Sequence, residues 1–502
     1  MQGVRHPLAK VTVPIRHYIS RGAEVRMKIG LIPANRRFFS DELAVKMRNE
    51  TIAAMQEAGL EVIVPDGNLT KLGCVETYEE AQKTGRLFRD EGVEGIIVAA
   101  VNFGDEQAVA FTIRESGLNV PVLIFGCQEE EVLTRTTPRR DSFCGLLSIG
   151  EALRQIGVKY TVARVPICYP SDTSFQDELR RFAGVCRVVN GIRSARYGQI
   201  GARPDNFWTC RVNEKALQRL GVTTVTLDLS EVIAAVSKMD ADLPEVRKIE
   251  ADMRAQCDLS GAPEAAINKI ARFERFLRDF VAEKKLDALA VQCWTSLQYN
   301  LGICSCSTMG RLGDQGIPCA CESDVMGVLS MHALNLASGG AAALADWNNL
   351  HNDDPELANL WHCGVFPPSF AKSKPKMGVQ EIIAETVGRD NTWGLFEFEV
   401  QDGPVTLLRA TQDPGGDWKA VVVPAVVEPT KAKTFGAYGW ARIKGLQKLY
   451  RDVLVRYFPH HVAMTRGQVQ DIIWEAFGNY LDFQMYAPNQ AVPGMWTPEP
   501  PF

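Results

Sequence analysis

The sequence predicts an α/β protein with two Rossmann-like α/β domains followed by a C-terminal antiparallel β-barrel-like domain. Short apolar runs alternate with amphipathic helical stretches over the first two thirds of the chain, which is typical of parallel sheets covered by helices. The last third instead holds consecutive strands separated by Gly, Pro and Asp turns, as in antiparallel barrels and sandwiches. A length of 502 residues also favours two to four domains over one.

Changes in this pattern divide the chain into a tail and three domains. The tail is basic and shows neither a long amphipathic helix nor an apolar signal core. The α/β alternation starts at Met27, resumes after the turn sequence PSDTS, and ends where the hairpin signals begin. The divisions are residues 1–26 for the tail, 27–160 for the first α/β domain, 161–345 for the second, and 346–502 for the C-terminal domain.

The first α/β domain contains four predicted strands, KIGLIPA, EVIVP, GIIVAAV and PVLIFG. Ser40 is the expected N-cap of a helix over residues 41–58. Thr77 and Glu80 have the spacing of a capping box, which opens a helix over residues 78–90. Apolar strands between capped helices indicate a parallel sheet.

The second domain repeats this pattern, and the C-terminal domain departs from it. A helix over residues 175–189 precedes the strands ARYGQIG and TTVTLDLS, and a long helix over residues 263–285 precedes the strand DALAVQCW. No GxGxxG or P-loop motif lies at these turns, so the sequence supports neither a dinucleotide nor ATP. The C-terminal strands are TWGLFEFEV, PVTLLRATQD, DWKAVVVPAVVEP and WARIKG.

Composition and charge exclude several classes of partner. The chain is 46% apolar and 23% charged with a net charge of −5, so no nucleic-acid partner is expected. No apolar run approaches the roughly 20 residues of a membrane span, so no membrane partner is expected either. The 13 cysteines are odd in number and irregularly spaced, which favours reduced thiols and a cytoplasmic location.

Two acids in apolar surroundings mark a candidate reaction centre. Glu322 lies in GIPCACESDV, and Asp346 lies in ALADWNN, 24 positions later. Each is expected where a buried strand ends. A carboxylate in apolar company is costly unless something compensates its charge, and a divalent cation is one common compensation. Taken singly, Glu322 is also compatible with a charge at a helix N-terminus, and Asp346 with a turn residue.

Histidines could complete such a site. The pair His460 and His461, in FPHHVA, opens a predicted strand, where adjacent side chains point to opposite faces, so one of them can face a metal. His362 lies in LWHCG, whereas His332 lies on an apolar helical run and is predicted to be packed. Glu, Asp and His with room for substrate oxygens suit Mn²⁺, Mg²⁺ or Co²⁺. Such a cation could polarise the oxygens of a polyol while a carboxylate moves a proton between carbons.

Cysteines offer a competing metal hypothesis. Six of them lie between Cys293 and Cys363, and two pairs have the spacing CxC, in CSC and CAC. Zinc ribbons usually use CxxC, so this spacing is poor for zinc. Buried cysteines are also common as small core residues.

The segments DALAVQCWTSLQ, GIPCACESDVMGVLSM, ALADWNN, LWHCG, PVTLLR and FPHHVA resemble those of L-fucose isomerase. The resemblance extends to the shorter fucose isomerase-like relatives and, more distantly, to L-arabinose isomerases. It covers nearly the whole chain from Met27. It implies the three-domain fold described above, and it implies a homo-oligomer, a hexamer in this family.

The resemblance also implies a site. Glu322, Asp346 and His461 would bind a catalytic Mn²⁺, with Co²⁺ or Mg²⁺ as alternatives. His461 matches the family ligand better than His460 does, and His362 matches a further ligand of the arabinose branch. Gln292, Trp294 and Gln298 would line the substrate pocket. His362, His460 and Arg37 are further candidates for substrate binding.

The implied reaction is aldose–ketose isomerisation of a free sugar through a cis-enediol, with Glu322 as the base and Asp346 as its partner. Departures from the L-fucose enzyme leave the sugar open, because this chain is shorter and has a doubled histidine, as in the fucose isomerase-like relatives. An anionic sugar such as sulfoquinovose is therefore an alternative substrate, with Arg36, Arg37 or Arg466 available to meet its charge. A non-catalytic sugar-binding protein is the alternative from another class.

Overall fold

The computed structural model describes residues 26–129 and 132–488, arranged as two parallel sheets and one large mixed sheet. The predicted basic tail lies outside the described residues, apart from Arg26. None of the helices in the described part of the chain is long and apolar enough to cross a membrane. The mixed α/β architecture predicted from the alternating pattern is confirmed.

The first parallel sheet has five strands in the order β2-β1-β3-β4-β5. Every residue of β3 and β4 is buried, which explains why the sequence shows them as continuous apolar runs. The fifth strand alternates between buried and exposed residues and lies beyond residue 160, where we divide the first two domains. The strands are β1 (Lys28–Ala34), β2 (Glu61–Ile63), β3 (Gly95–Ala100), β4 (Val122–Cys127) and β5 (Thr161–Cys168).

Five helices accompany this sheet. The Ser40 side chain accepts a hydrogen bond from the Leu43 amide, and Thr77 and Glu80 form the predicted capping box, so both predicted helix starts are confirmed. The helices are α1 (Asp41–Glu57), α2 (Tyr78–Glu91), α3 (Glu106–Ser116), α4 (Ser142–Gln155) and α5 (Thr173–Arg193).

The second parallel sheet has four strands in the order β7-β6-β8-β9. Its strands are β6 (Arg196–Ile200), β7 (Thr223–Leu227), β8 (Ala288–Val291) and β9 (Cys319–Ala320). Its helices are α6 (Glu214–Leu220), α7 (Leu229–Lys238), α8 (Pro244–Gln256), α9 (Glu264–Lys284), α10 (Ser296–Leu301), α11 (Cys306–Asp314) and α12 (Val325–Ser338). Twelve of the fourteen residues of α12 are buried, so this helix is central to the molecule.

The third sheet has nine strands in the order β12-β13-β16-β11-β10-β17-β14-β15-β18. Its strands are β10 (Ala342–Leu350), β11 (Leu357–His362), β12 (Lys376–Val379), β13 (Trp393–Glu399), β14 (Gly403–Gln412), β15 (Trp418–Val427), β16 (Ala437–Arg442), β17 (His461–Arg466) and β18 (Gln484–Tyr486). The α-helices in the described part of this region are α13 (Glu381–Val387), α14 (Leu446–Val455) and α15 (Gln470–Trp474), and a π-helical turn (Glu475–Tyr480) follows α15.

The purely antiparallel, barrel-like description of this last part is not confirmed, because the sheet is mixed. Strand β13 pairs with β16 in parallel, as does β15 with β18, while the hairpin β14–β15 is antiparallel over ten residue pairs. The sequence signalled the hairpins through their turns. Parallel partners distant in the chain leave no such local signal.

Helix α12 joins the second and third sheets. It packs against β8 and β9 of one sheet and against β10, β14 and β17 of the other. His332 lies on this helix, and its Nδ1 is 3.1 Å from the Tyr197 hydroxyl. The ring is buried, as predicted, and burial lowers the pKa of His332 to about 4. The start of α12 therefore lies where the two sheets meet.

Candidate active site

A strained turn between β9 and α12 positions Glu322. Glu322 has a φ of +61° and Ser323 a φ of +54°, in the left-handed region that side-chain-bearing residues adopt at a cost. The Ser323 amide donates to the Val291 carbonyl at 3.2 Å and ties the turn to the end of β8. Glu322 therefore lies at the carboxyl edge of a parallel sheet, where ligand sites of α/β proteins form.

The third sheet supplies the opposite side of the site. Asp346 on β10 is paired with His461 on β17 and with Trp361 on β11, and His362 follows Trp361. Asp346 was expected at a strand end, but it is the fifth of the nine residues of β10. The apolar run stops there because the strand changes from a buried half to an exposed half at this residue.

The side chains of Glu322, Asp346 and His461, here called the carboxylate–histidine cluster, converge. His461 Nε2 lies 3.3 Å from Glu322 Oε2 and 3.6 Å from Asp346 Oδ1. All three atoms are buried and make no hydrogen bond to the described residues, and the same holds for His362 Nε2. Leaving one such group unpaired costs about 1–3 kcal/mol, so four converging atoms fit a cation or a polar ligand held among them.

Asp324 and Arg409 hold the His461 ring from behind. His461 Nδ1 is 2.8 Å from Asp324 Oδ2, and the same carboxylate receives a fork of hydrogen bonds from Arg409 at 2.6 and 3.2 Å. Burial opposes the charge of Asp324, but Arg409 and His461 hold the pKa of its carboxyl well below the usual range. Although burial opposes the charged ring, hydrogen bonds to Asp324, Cys210 and Glu322 raise the pKa of His461 above its usual value. In the neutral ring, Nδ1–H donates to the ionised Asp324 and the Nε2 lone pair faces the cluster, which is the form that a metal ligand needs.

His362 has the opposite arrangement. Its Nδ1 accepts a hydrogen bond from the Cys363 amide at 2.9 Å. The ring proton of neutral His362 therefore lies on Nε2. Burial opposes the charged ring, but Cys363 and Asp346 raise the pKa of His362 to about 9, and the charged ring also carries a proton on Nε2, so this nitrogen is a donor towards the site. One donor atom each from Asp346, His362 and His461 lie within 4.8 Å of one another. His362 thus suits a hydrogen bond to a bound oxygen.

The charge state of Asp346 suits proton transfer. Burial is the largest influence and raises the pKa of its carboxyl, while His362 and His461 act in the other direction. A carboxyl whose pKa lies above the usual range accepts and releases protons closer to neutral pH. With Glu322 opposite, the site holds two carboxylates that can act on neighbouring atoms of one ligand.

Aromatic side chains form the rim beside the cluster. The side chain of His460 is 43% exposed, and its Nε2 is 3.8 Å from Asp346 Oδ1. Burial of the ring, with His461 nearby, lowers the pKa of His460 to about 3, so this ring is neutral at ordinary pH. Phe207 contacts both Trp294 and His460, with ring centroids 5.5 and 6.1 Å apart. A sugar face could pack on such a wall.

The other residues predicted to bind substrate occupy different positions. The Gln292 side chain spans the rim, accepting from the Ala202 amide and donating to the Trp294 carbonyl. Gln298 is fully buried and donates to the Cys293 carbonyl. Arg37 is exposed on the loop after β1 and lies over the ring of Phe38, with no contact to the cluster among the described residues.

The two remaining candidate arginines also lie away from the cluster. Arg36 forms an ion pair with Glu106 and donates to the Gly104 carbonyl. Arg466 ends β17, five residues after His461, and thus about 16 Å along the strand at 3.3 Å per residue. Arg211 is a further candidate, because it directly follows Cys210, whose sulfur lies near Glu322 and His461. Its side chain is exposed and lies over the Trp208 ring, 3.9 Å from the ring centroid.

Three residues of the site were missed in the sequence. Asp324 and Arg409 lie within the segments CESDV and PVTLLR, and an arginine inside an apolar strand was a signal for a buried ion pair. Cys210 gives a donor atom within 4.8 Å of donors from Glu322 and His461. No local pattern marks Cys210, because it reaches the cluster from a loop far away in the chain.

Two family models match the chain in order. Residues 30–193 match the model described as fucose/sulfoquinovose isomerase, N-terminal domain, and residues 360–487 match L-fucose isomerase, C-terminal domain. Glu322 and Asp346 lie between the two matches, whereas His362 and His461 lie inside the second.

Curated relatives agree with these matches. A protein of Priestia aryabhattai named sulfoquinovose isomerase is 26% identical over 389 residues, which is 77% of this chain and 82% of the relative. A protein of the same name from Alkalicoccus urumqiensis is 28% identical over 64% of this chain and 70% of the relative. These matches identify the chain as a member of the fucose isomerase-like family and as an aldose–ketose isomerase.

Proposed function

We propose that this enzyme isomerises an anionic aldohexose, sulfoquinovose or a close analogue, to the corresponding ketose with a divalent cation at the carboxylate–histidine cluster. The observation that carries the proposal is the convergence of unpaired donor atoms from Glu322, Asp346 and His461 in a chain whose curated relatives are named for this sugar. L-fucose or another neutral aldose is the second candidate, favoured by the C-terminal match to L-fucose isomerase.

The donor set supports a hard divalent cation. The donors are two carboxylates and one imidazole, and the Nδ1–H of that imidazole donates to Asp324. This set suits Mn²⁺, with Co²⁺ or Mg²⁺ as alternatives. Glu322, Asp346 and His461 would hold the ion. When bound, it would supply electrostatic stabilisation of negative charge developing on the sugar oxygens.

Glu322 acts as the base in this proposal. Its carboxylate removes the proton from C2 of the open-chain aldose, the protonated Asp346 carboxyl donates a proton to the C1 oxygen, and a cis-enediol forms. Asp346 assists the transfer between the two oxygens, since burial raises the pKa of its carboxyl towards the range in which it can carry a proton. Return of the proton from Glu322 to C1, while the C2 hydroxyl gives its proton to Asp346, forms the ketose and restores both carboxyl groups, so no oxidant or reductant is needed.

The remaining residues bind and orient the sugar. His362 Nε2 donates to a sugar oxygen, because the Cys363 amide already occupies its Nδ1. Trp294 and His460 line the rim. Arg211 is the positive group we assign to the sulfonate, since it is exposed beside Cys210. We also propose a homo-oligomer, in which Arg37 of one copy approaches a neighbouring site.

A substrate screen tests the proposal. Purified protein is freed of metal with EDTA, reloaded with Mn²⁺, Co²⁺ or Mg²⁺, and assayed for ketose formation from sulfoquinovose, D-glucose and L-fucose. We expect no turnover without metal, recovery with Mn²⁺, and a higher kcat/KM for sulfoquinovose than for D-glucose. A higher kcat/KM for L-fucose would favour the second candidate, and turnover that survives complete metal removal would contradict the role of the cation.

A further inference from the structure

Four buried cysteines pack directly behind the carboxylate–histidine cluster. Cys293, Cys306, Cys321 and Cys363 are each at most 4% exposed. The sulfur atoms of Cys306 and Cys363 are 3.9 Å apart, and the Cys321 thiol lies within interaction range of the other three. Their strands and helices are far apart in the chain, so only the fold brings these sulfurs together.

Two of these thiols form a donor group with a catalytic carboxylate. Donor atoms of Cys293, Cys321 and Glu322 lie within 4.8 Å of one another, the same spacing that joins Asp346, His362 and His461. Glu322 belongs both to this cysteine group and to the carboxylate–histidine cluster, because its Oε2 also lies 3.3 Å from His461 Nε2. The buried Glu322 Oε2 makes no hydrogen bond to the described residues, so it is available to a cation on either side.

We propose that Cys293, Cys321 and Glu322 form a second cation site, selective for a thiophilic divalent ion such as Zn²⁺ or Cd²⁺, and that its occupation inhibits the isomerase. Thiolate donors select Zn²⁺ and its congeners over Mn²⁺ and Mg²⁺, which prefer oxygen. On binding, the two thiols release their protons to solvent and two metal–sulfur bonds form, with no change of oxidation state. The ion would bind the Glu322 carboxylate, so that Glu322 could no longer act as the base towards the sugar.

The composition of this site differs from the sequence pattern CxC…CxC. The sulfurs of Cys304 and Cys319 interact elsewhere, with the Gln298 side chain and the Ile317 carbonyl. The pair therefore consists of Cys293, two residues after the end of β8, and Cys321, in the turn after β9. These segments are neighbours because β8 pairs with β9 in parallel.

Cadmium titration of the metal-free protein tests binding separately from catalysis. Cd²⁺–thiolate bonds give a characteristic ultraviolet charge-transfer absorption, which Cd²⁺–carboxylate binding lacks. We expect this absorption to saturate at one ion per chain and to disappear in the double variant Cys293→Ala/Cys321→Ala. Cys319→Ala, which removes another buried cysteine, on β9 and two residues before Cys321, should retain it. Absence of the absorption in the unaltered protein, or its persistence in the double variant, would overturn the site.

A second titration separates this site from the proposed function, on which only its inhibitory role rests. In the variant Asp346→Asn/His461→Ala the absorption should persist, since both thiols remain, whether or not the protein turns over a sugar. With Mn²⁺ present, Zn²⁺ should inhibit the unaltered enzyme at concentrations at least tenfold lower than those that inhibit Cys293→Ala, a milder variant for folding. Equal Zn²⁺ sensitivity of the two proteins would overturn the inhibitory role.

Discussion

The first and second parallel sheets present polar residues at the same edge, yet among the described residues the candidate active site lies at the edge of the second. At the edge of the first sheet Asn35, Asn102 and Glu76 satisfy one another. Asn102 Nδ2 donates to Asn35 Oδ1 at 2.6 Å, and Asn35 Nδ2 donates to Glu76 at 2.7 Å. At the edge of the second sheet Glu322 faces a third sheet, and its Oε2 has no hydrogen-bond partner among the described residues.

This difference shows what converts a sheet edge into a reaction centre. A closed amide network stabilises the loops of the first domain and leaves no capacity for a ligand. An unpaired carboxylate opposite Asp346 and His461 carries an energetic cost that a bound ion can remove. Four variants distinguish buried polar groups that stabilise the fold from buried polar groups that bind a ligand.

Glu322→Gln should reduce kcat by at least about a thousandfold, because an amide can neither remove the C2 proton nor balance a cation. The change is nearly isosteric, so the melting temperature of the metal-free protein should stay close to that of the unaltered chain. Steady-state assays with saturating Mn²⁺ and calorimetric melting provide the measurements. Full activity of this variant would show that the second edge is no more catalytic than the first.

Asp324→Asn should weaken Mn²⁺ binding by about 10–100-fold, because the carboxylate that orients His461 becomes a neutral amide. Asparagine keeps the N-cap that Asp324 gives to the Gly327 amide, so α12 should still begin normally. Isothermal titration with Mn²⁺ measures the affinity. As a control, Asp105→Asn changes another helix cap outside the site and should leave Mn²⁺ affinity unchanged; an equal loss in both variants would indicate a general folding effect.

Arg211→Gln should raise KM for sulfoquinovose about tenfold and leave KM for a neutral aldose within twofold, because only the anionic sugar loses a charged partner. The ratio of the two kcat/KM values is the measurement. Arg203→Gln, in the same loop, is the matched control, since that guanidinium donates to the Pro204 and Asp205 carbonyls. A fall in activity towards both sugars would assign Arg211 to the support of the loop.

Asn102→Ala should lower the free energy of unfolding by about 1–3 kcal/mol, because its amide oxygen accepts from the Arg36 and Gly104 backbones and would leave both unpaired. We expect kcat of the folded protein to remain within twofold. Chemical denaturation and active-site titration measure the two quantities. A loss of kcat at unchanged stability would instead connect the Arg36 loop with catalysis, as the proposed oligomer allows.

Local rules predicted much of the α/β framework. The strands KIGLIPA and GIIVAAV and the capped helices after Ser40 and Thr77 appear where their patterns indicate. Strand β5 was missed because an edge strand with many exposed residues lacks an apolar run. The C-terminal sheet was predicted as antiparallel, since hairpin turns are visible in a sequence and parallel pairings between distant strands are not.

The sequence by itself determined which reactive groups the protein contains: two carboxylates in apolar segments and a histidine pair at a strand start. It also contains motifs that resemble one family of isomerases. The tertiary structure decided which of these groups act together. It placed Asp346 opposite His461 through strand register, gave Nε2 of His461 and Nε2 of His362 different roles through the partners of their other nitrogens, and brought Cys293 beside Glu322. Proton positions and donor distances depend on contacts between residues far apart in the chain, and no local pattern encodes such contacts.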